Sequence, residues 1–139
     1  MLVSPDPHRQ ANREVLVVIR CQTEETTWFE GVAADLNAVG LSMARSDSFE
    51  EAIHRVEQGG LAGAALFGDA TYIDGLSLMR FIRSIDRWLP AWLVVADVSP
   101  RTVRAAFELR VNGVMNRPVA PGAFCRTLTK ALSRPVQLE

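Results

Sequence analysis

The stretch AALFGDATYIDGLSLMRFIR, residues 64–83, decides the fold. It begins as a short apolar run, passes through a loop that ends in Asp74-Gly75, and continues with apolar residues at helical spacing. This spacing predicts a helix to about Arg87 whose buried face carries Leu76, Met79, Ile82 and Ile85. A buried strand followed by an amphipathic helix makes one βα unit.

The same unit recurs along the whole chain. Apolar runs at residues 15–19, 41–44, 62–67, 91–96 and 113–116 alternate with five helical segments. Helix starts are indicated by Thr23, by the capping-box spacing of Ser48 and Glu51, and by Pro100 and Pro121 at first helical positions. Since βα connections are right-handed, we expect an α/β fold with a parallel sheet and helices on both faces. We expect a flavodoxin-like (βα)5 doubly wound sheet, whose strand order is 2-1-3-4-5.

Length and composition indicate one soluble domain. The 139 residues are 48% hydrophobic and 22% charged, which is typical of a globular chain, and no apolar run is long enough to span a bilayer. We predict a domain over residues 14–133 between a flexible tail at 1–13 and a short tail at 134–139. The final Leu138-Glu139 is typical of an expression tag, in which case the natural chain continues. No signal peptide is predicted, and Cys21 and Cys125 are expected to be reduced thiols of a cytoplasmic protein.

Charge is distributed unevenly. Residues 1–97 hold 8 Lys and Arg against 14 Asp and Glu, whereas residues 98–139 hold 7 against 2. The C-terminal third is therefore a basic segment on an acidic body, which favours a charged partner.

Ligands of doubly wound sheets bind beyond the carboxyl ends of the strands. The predicted strand ends bring together Ile19, Arg20, Phe67, Ala96, Asp97, Asn116 and Arg117. No glycine-rich phosphate loop follows the first strand, so nucleotide binding is not predicted. No Ser, His and Asp fall there in a triad-like arrangement either.

Three stretches together resemble response-regulator receiver domains of two-component signalling. Residues 64–83 resemble the third strand, loop and third helix, VNGVMNRPV (111–119) resembles the fifth strand with its basic-residue–Pro turn, and VLVVIR (15–20) resembles the first strand. The resemblance covers about residues 14–133 and implies the receiver fold.

The departures fall on the positions that the resemblance marks as chemical. The family's two Mg²⁺-binding acids correspond to Ile19 and Arg20, its phosphoacceptor Asp to Phe67, and its Ser or Thr on the fourth strand to Ala96. The family's Lys before Pro corresponds to Arg117, and its aromatic switch residue corresponds to Val114. Since Mg²⁺ requires oxygen ligands and aspartyl phosphorylation a carboxylate nucleophile, we predict neither Mg²⁺ binding nor phosphorylation here, and no enzymatic activity.

Three alternatives at the crevice stay open. Asp69, two residues past Phe67, is a second candidate phosphoacceptor. Asp97 can pair with Arg20 or Arg117, which would replace the metal–carboxylate cluster, or it can be a solvated loop residue. Arg20 and Arg117 can instead bind a free anion.

These observations predict a phosphorylation-independent pseudo-receiver, a protein-interaction module in bacterial signalling or transcription control. The expected surface for a protein partner or homodimer is the fourth helix, fifth strand and fifth helix, with the basic residues Arg101, Arg104, Arg110, Arg126 and Lys130. These residues can also be only a solvated face. Direct nucleic-acid and membrane binding are not predicted. The alternative is a flavodoxin-like small-ligand or anion-binding protein using the crevice.

Overall fold

The computed structural model describes residues 12–19, 26–68, 74–96 and 98–132. Strands and helices alternate in the predicted order: β1 (Glu14–Val18), α1 (Thr26–Ala38), β2 (Ser42–Ser46), α2 (Phe49–Gln58), β3 (Leu61–Phe67), α3 (Gly75–Ile85), β4 (Ala91–Val95), α4 (Pro100–Glu108), β5 (Gly113–Asn116) and α5 (Pro121–Leu132). The five strands are parallel in the order β2-β1-β3-β4-β5, which confirms the predicted topology.

Local signals place the helix ends. The hydroxyl of Ser48 accepts the backbone N–H of Glu51 at the start of α2, and Gly59, with a φ of 74°, ends that helix. The Glu51 carboxylate accepts the N–H of Asp47, where a full capping box would use that of Ser48. Pro100 and Pro121 open α4 and α5 as predicted. The predicted cap Thr23 lies outside the described residues.

The sheet divides the core into two layers because successive strand side chains point to opposite faces. In β1, Leu16 and Val18 pack with α2, α3 and α4, whereas Val15 and Val17 pack with α1 and α5. β3 is buried along its whole length, as expected of a central parallel strand.

Two predictions about α3 are wrong. The helix ends at Ile85, short of Arg87, and Ile85 itself is 39% exposed. The buried side of α3 is formed by Gly75, Leu78, Met79 and Ile82. At 100° per residue, Ile85 lies beside this group and not within it, on the flank that faces α2.

No helix in the described ranges is long and apolar enough to cross a membrane.

Candidate functional site

The carboxyl ends of four strands meet at one edge of the sheet. Val18 pairs with Leu66, Phe67 with Val94, and Val95 with Asn116. This register brings together Ile19, Phe67, Ala96 and Arg117, four of the residues predicted to line the crevice. Arg20, Asp97 and Asp69 lie outside the described residues, so their roles stay predictions.

Phe67 occupies the middle of this edge, and its side chain is only 4% exposed. Its ring lies 5.3 Å from that of Trp28, nearly perpendicular to it, and 5.8 Å from that of Phe124. Trp28 also contacts Phe29 edge-on at 5.3 Å. The end of β3 is therefore occupied by rings from β3, α1 and α5, which we call the aromatic plug (Trp28, Phe29, Phe67 and Phe124).

Trp28 joins the plug to the loop after β5. Its indole N–H donates a hydrogen bond of 2.7 Å to the backbone carbonyl of Val119. The sequence analysis did not include Trp28 among the site residues. The sequence did contain a signal that Trp28 faces the core. Trp28 precedes the buried Val32 by four residues and the buried Leu36 by eight, so the three residues share one face of α1.

Arg117 directly follows β5, and its side chain lies over the aromatic plug. Its guanidinium carbon lies 5.5 Å from the centroid of the Phe67 ring, which is within the range of a cation–π contact. The backbone N–H of Arg117 donates to the carbonyl of Val95 at 2.8 Å, and the following bond to Pro118 is cis. The position that carries the family's Lys thus places a cation over an aromatic ring.

Ile19, Phe67 and Ala96, three of the described crevice residues, supply no side-chain oxygen. Ile19 is 3% exposed and packs with the plug side of the core, and Ala96 offers a methyl group. Among the described residues, no group of three or more His, Cys, Asp or Glu side chains could hold a metal ion. Mg²⁺ binds hard oxygen ligands, so Ile19, Phe67 and Ala96 do not fit it.

The Val114 side chain lies on the face of the sheet opposite to the aromatic plug. It pairs with Leu93 and is partly buried against the core formed with α2, α3 and α4. A branched side chain held in this way has no ring to swing between a buried and an exposed position.

The Asp74-Gly75 pair that marks the resemblance has a structural role. The Asp74 carboxylate caps α3 by accepting the N–H of Leu76 and Ser77 and the hydroxyl of Ser77. Burial acts to raise the pKa of Asp74, but these hydrogen bonds from Ser77 and Leu76, with the charge of Arg80, leave it below the ordinary value. Gly75 approaches the backbone of Gly68, where a side chain would not fit.

The predicted interaction face is divided by the structure. Arg101, Arg104 and Arg110 are exposed on and just after α4. Arg126 and Lys130 line an open groove of about 510 Å³ between α1 and α5, together with Asp35 and Val39. In the same groove, burial and then the charge of Asp35 raise the pKa of Cys125 to about 11, so its thiol stays neutral.

No family model matches the chain, and no curated protein matches its sequence. Solved structures do match. The non-phosphorylated receiver domain of HemR from Leptospira biflexa aligns with a TM-score of 0.75 and 16% identity over 91% of this chain and 99% of that one.

Two further structures agree. A CheY-like receiver domain protein from Methanospirillum hungatei JF-1 aligns with a TM-score of 0.73 and 13% identity over 88% and 94% of the two chains. A two-component response regulator from Clostridium difficile aligns at 0.74 and 15% over 90% and 99%. The chain therefore has the flavodoxin-like fold of CheY-like receiver domains. At these identities the likeness establishes the fold alone.

Proposed function

We propose that this chain is a receiver-like module of two-component signalling that works without aspartyl phosphorylation and acts by binding protein. The observation that carries the proposal is the position of Phe67. It stands at the end of β3, where the resemblance places the phosphoacceptor carboxylate, and its ring is packed between Trp28 and Phe124.

Phosphoryl transfer to a receiver needs a carboxylate nucleophile and a metal that neutralises the phosphoryl oxygens. Phe67 supplies no nucleophile, and Ile19 and Ala96 supply no ligand. The guanidinium of Arg117 lies over the Phe67 ring. Each of these features supports a binding module over an enzyme.

The aromatic plug also supports a fixed conformation of the crevice. Rings from α1, β3 and α5 pack together, and the hydrogen bond from Trp28 to Val119 holds the loop after β5. We propose that a salt bridge from Asp97 to Arg20 or Arg117 adds to this. Measuring the stability of Asp97→Ala with Arg20→Ala, and of Asp97→Ala with Arg117→Ala, singly and together tests each pairing, and strict additivity in both cycles would rule the salt bridge out.

The partner surface in this proposal is formed by α4, β5 and the start of α5. Arg101 and Arg104 are exposed there, beside Phe107, which is 49% exposed. An aromatic side chain bordered by arginines is a common composition for a binding site for an acidic protein. A second copy of the chain is the other occupant this surface was predicted to take.

The small-ligand or anion-binding alternative is not favoured. The Phe67 ring is packed against Trp28 and Phe124 at the edge of the sheet that this alternative would use.

The test is to incubate the ¹⁵N-labelled protein with Mg²⁺ and either acetyl phosphate or beryllofluoride and to record amide spectra. We expect no shifts at Phe67, Gly68, Ala96 or Arg117. A phosphorylatable receiver treated in parallel is the positive control. Shifts clustered at the end of β3 would contradict the proposal, and their loss in Asp69→Asn would identify Asp69 as the acceptor.

A further inference from the structure

A ridge of exposed apolar side chains follows α3 on the flank that faces α2. Phe81 and Ile85 of α3 and Trp88, in the turn after the helix ends, are 55%, 39% and 51% exposed, and we call these three residues the α3 ridge. Phe81 also stands edge-on to the half-buried Phe49 of α2, with ring centroids 5.4 Å apart. Large apolar side chains exposed in one row are typical of a surface that another molecule covers.

The α3 ridge is separate from the surface proposed above. The opposite flank of α3 is bound to the chain's own α4, because Arg83 donates to the carbonyls of Leu109 and Arg110 at 2.7 and 3.1 Å. The ridge therefore points away from α4, and both surfaces can be occupied at once.

Charges of opposite sign border the ridge. Glu50 and Glu57 form an acidic row on α2, and the basic row is formed by Arg80 on α3 and Arg87 in the turn after α3 ends. All four side chains belong to exposed residues, and among the described residues none of them makes an ion pair. Glu50 and Glu57 are seven residues apart on α2, which is nearly two helical turns or about 10.5 Å.

Helical periodicity places the acidic row beside the ridge. At 100° per residue, Glu50 and Glu57 share the flank of α2 that carries Phe49. The other flank of α2 carries Arg55, which pairs with Glu14 of β1. The order across the surface is thus acidic row, apolar ridge, basic row.

We infer that the α3 ridge binds a second copy of this chain about a two-fold axis that runs parallel to α3. With such an axis, the ridges of the two copies contact each other, and the acidic row of each copy faces the basic row of the other. A two-fold axis across the ridge would place acid opposite acid, which costs free energy. The interface is isologous, so each favourable contact occurs twice.

The register of the two rows supports this arrangement. The helices run in the same direction, and the contact of Phe49 with Phe81 places residue 50 near the level of residue 82. Arg80 is two residues away from that level, which is about 3 Å along the helix. Long glutamate and arginine side chains span such an offset.

The first experiment measures self-association by sedimentation velocity over a range of concentrations. We expect a dimer that Phe81→Ser weakens by about thirtyfold or more, as for an aromatic hot spot. Phe107→Ser is the matched control, because it removes an equally exposed phenylalanine from α4 and should leave the dimer intact. Thermal unfolding of both variants checks that they fold.

The second experiment tests the axis by charge reversal. We expect that the variants Glu50→Arg/Glu57→Arg and Arg80→Glu/Arg87→Glu do not dimerise alone. In each variant both rows carry the same sign of charge, so two copies would face each other with like charges. An equimolar mixture of the two should dimerise, since every row meets its opposite.

Three outcomes would overturn the inference. The first is a wild-type chain that is monomeric at about 100 μM, a concentration far above the Kd of an ordinary specific dimer. The second is a dimer that is lost in Phe107→Ser and kept in Phe81→Ser, and the third is a pair of charge-reversed chains that do not associate when mixed. The second outcome would place the dimer on the α4 surface and leave the proposed function standing. A response to beryllofluoride would contradict the proposed function and leave this inference untouched.

Discussion

The indole of Trp28 meets the ring of Phe67 edge to face, with centroids 5.3 Å apart and planes at 83°. One residue belongs to α1 and the other ends β3, so their contact fixes the first helix against the carboxyl edge of the sheet. The edge-to-face geometry matches the charge distribution of the two rings, because the positive edge of one meets the negative face of the other. A crevice used for chemistry would hold water here.

Phe67 should be a stability determinant, unlike the solvated acid expected in a working receiver. We expect Phe67→Ala to lower the free energy of unfolding by about 3–5 kcal/mol, because it leaves a cavity among rings. Urea denaturation measures this. Phe107→Ala, at an exposed site, should change stability by less than about 0.5 kcal/mol. Equal effects of the two variants would show that the plug is not packed as described.

Arg117 and Phe67 should be energetically coupled. We expect a double-mutant cycle of Arg117→Met and Phe67→Leu to yield a coupling of about 0.5–2 kcal/mol, since the guanidinium lies over the ring face. The methionine keeps most of the length of the arginine and removes its charge. Additive changes in unfolding free energy would mean that the cation contributes nothing through the ring.

The sequence allowed the order of strands and helices along the chain to be predicted, because short apolar runs and capped helices alternate without interruption. The strand order in the sheet was predicted from the flavodoxin-like arrangement, and the structure confirms it. It also identified the residues at the strand ends, since the register of parallel strands brings their carboxyl ends to one edge. The ring contacts of Phe67 were not predicted, because they depend on how far α1 and α5 lie above the sheet. Distances between layers are set by the packing of whole helices, which no local pattern encodes.

The face of α3 shows the same limit. Ile85 was placed with the buried residues because it follows Ile82 by three positions. The spacing alone does not tell which of two adjacent stripes of the helix meets the sheet. In the structure, the buried stripe contains Leu78 and Gly75 in place of Ile85. The resulting exposure of Ile85 is what completes the α3 ridge.

Asp74 should stabilise the fold in a pH-dependent way. At pH 7 we expect Asp74→Ala to cost about 1 kcal/mol, as for the loss of an N-cap. Because the folded pKa of Asp74 is lowered, its contribution is present above the unfolded pKa of about 3.9 and is lost as the pH falls through the folded value. Ser99→Ala removes the cap of α4 without a titratable group, so its cost should not change with pH. An equal pH dependence for both variants would contradict this assignment.

Gly75 should resist substitution for a reason of space. A Cβ atom there would lie 2.6 Å from Cδ1 of Leu93 and 3.2 Å from Cα of Gly68, so the Leu93 side chain and the backbone at Gly68 would have to shift. We expect Gly75→Ala to cost about 1–3 kcal/mol, as for other overpacked sites, although alanine is the better helix former.

The control for Gly75 is Gly122→Ala in α5, where the added methyl group meets only the mobile end of Arg126 at 3.3 Å. Its stability should be unchanged or higher by up to about 1 kcal/mol. Leu93→Ala removes the nearer obstacle, so the double variant Gly75→Ala/Leu93→Ala should lose less than the sum of the single losses. Strict additivity would show that Leu93 is not the obstacle, and the close approach of α3 to β4 would then need another explanation.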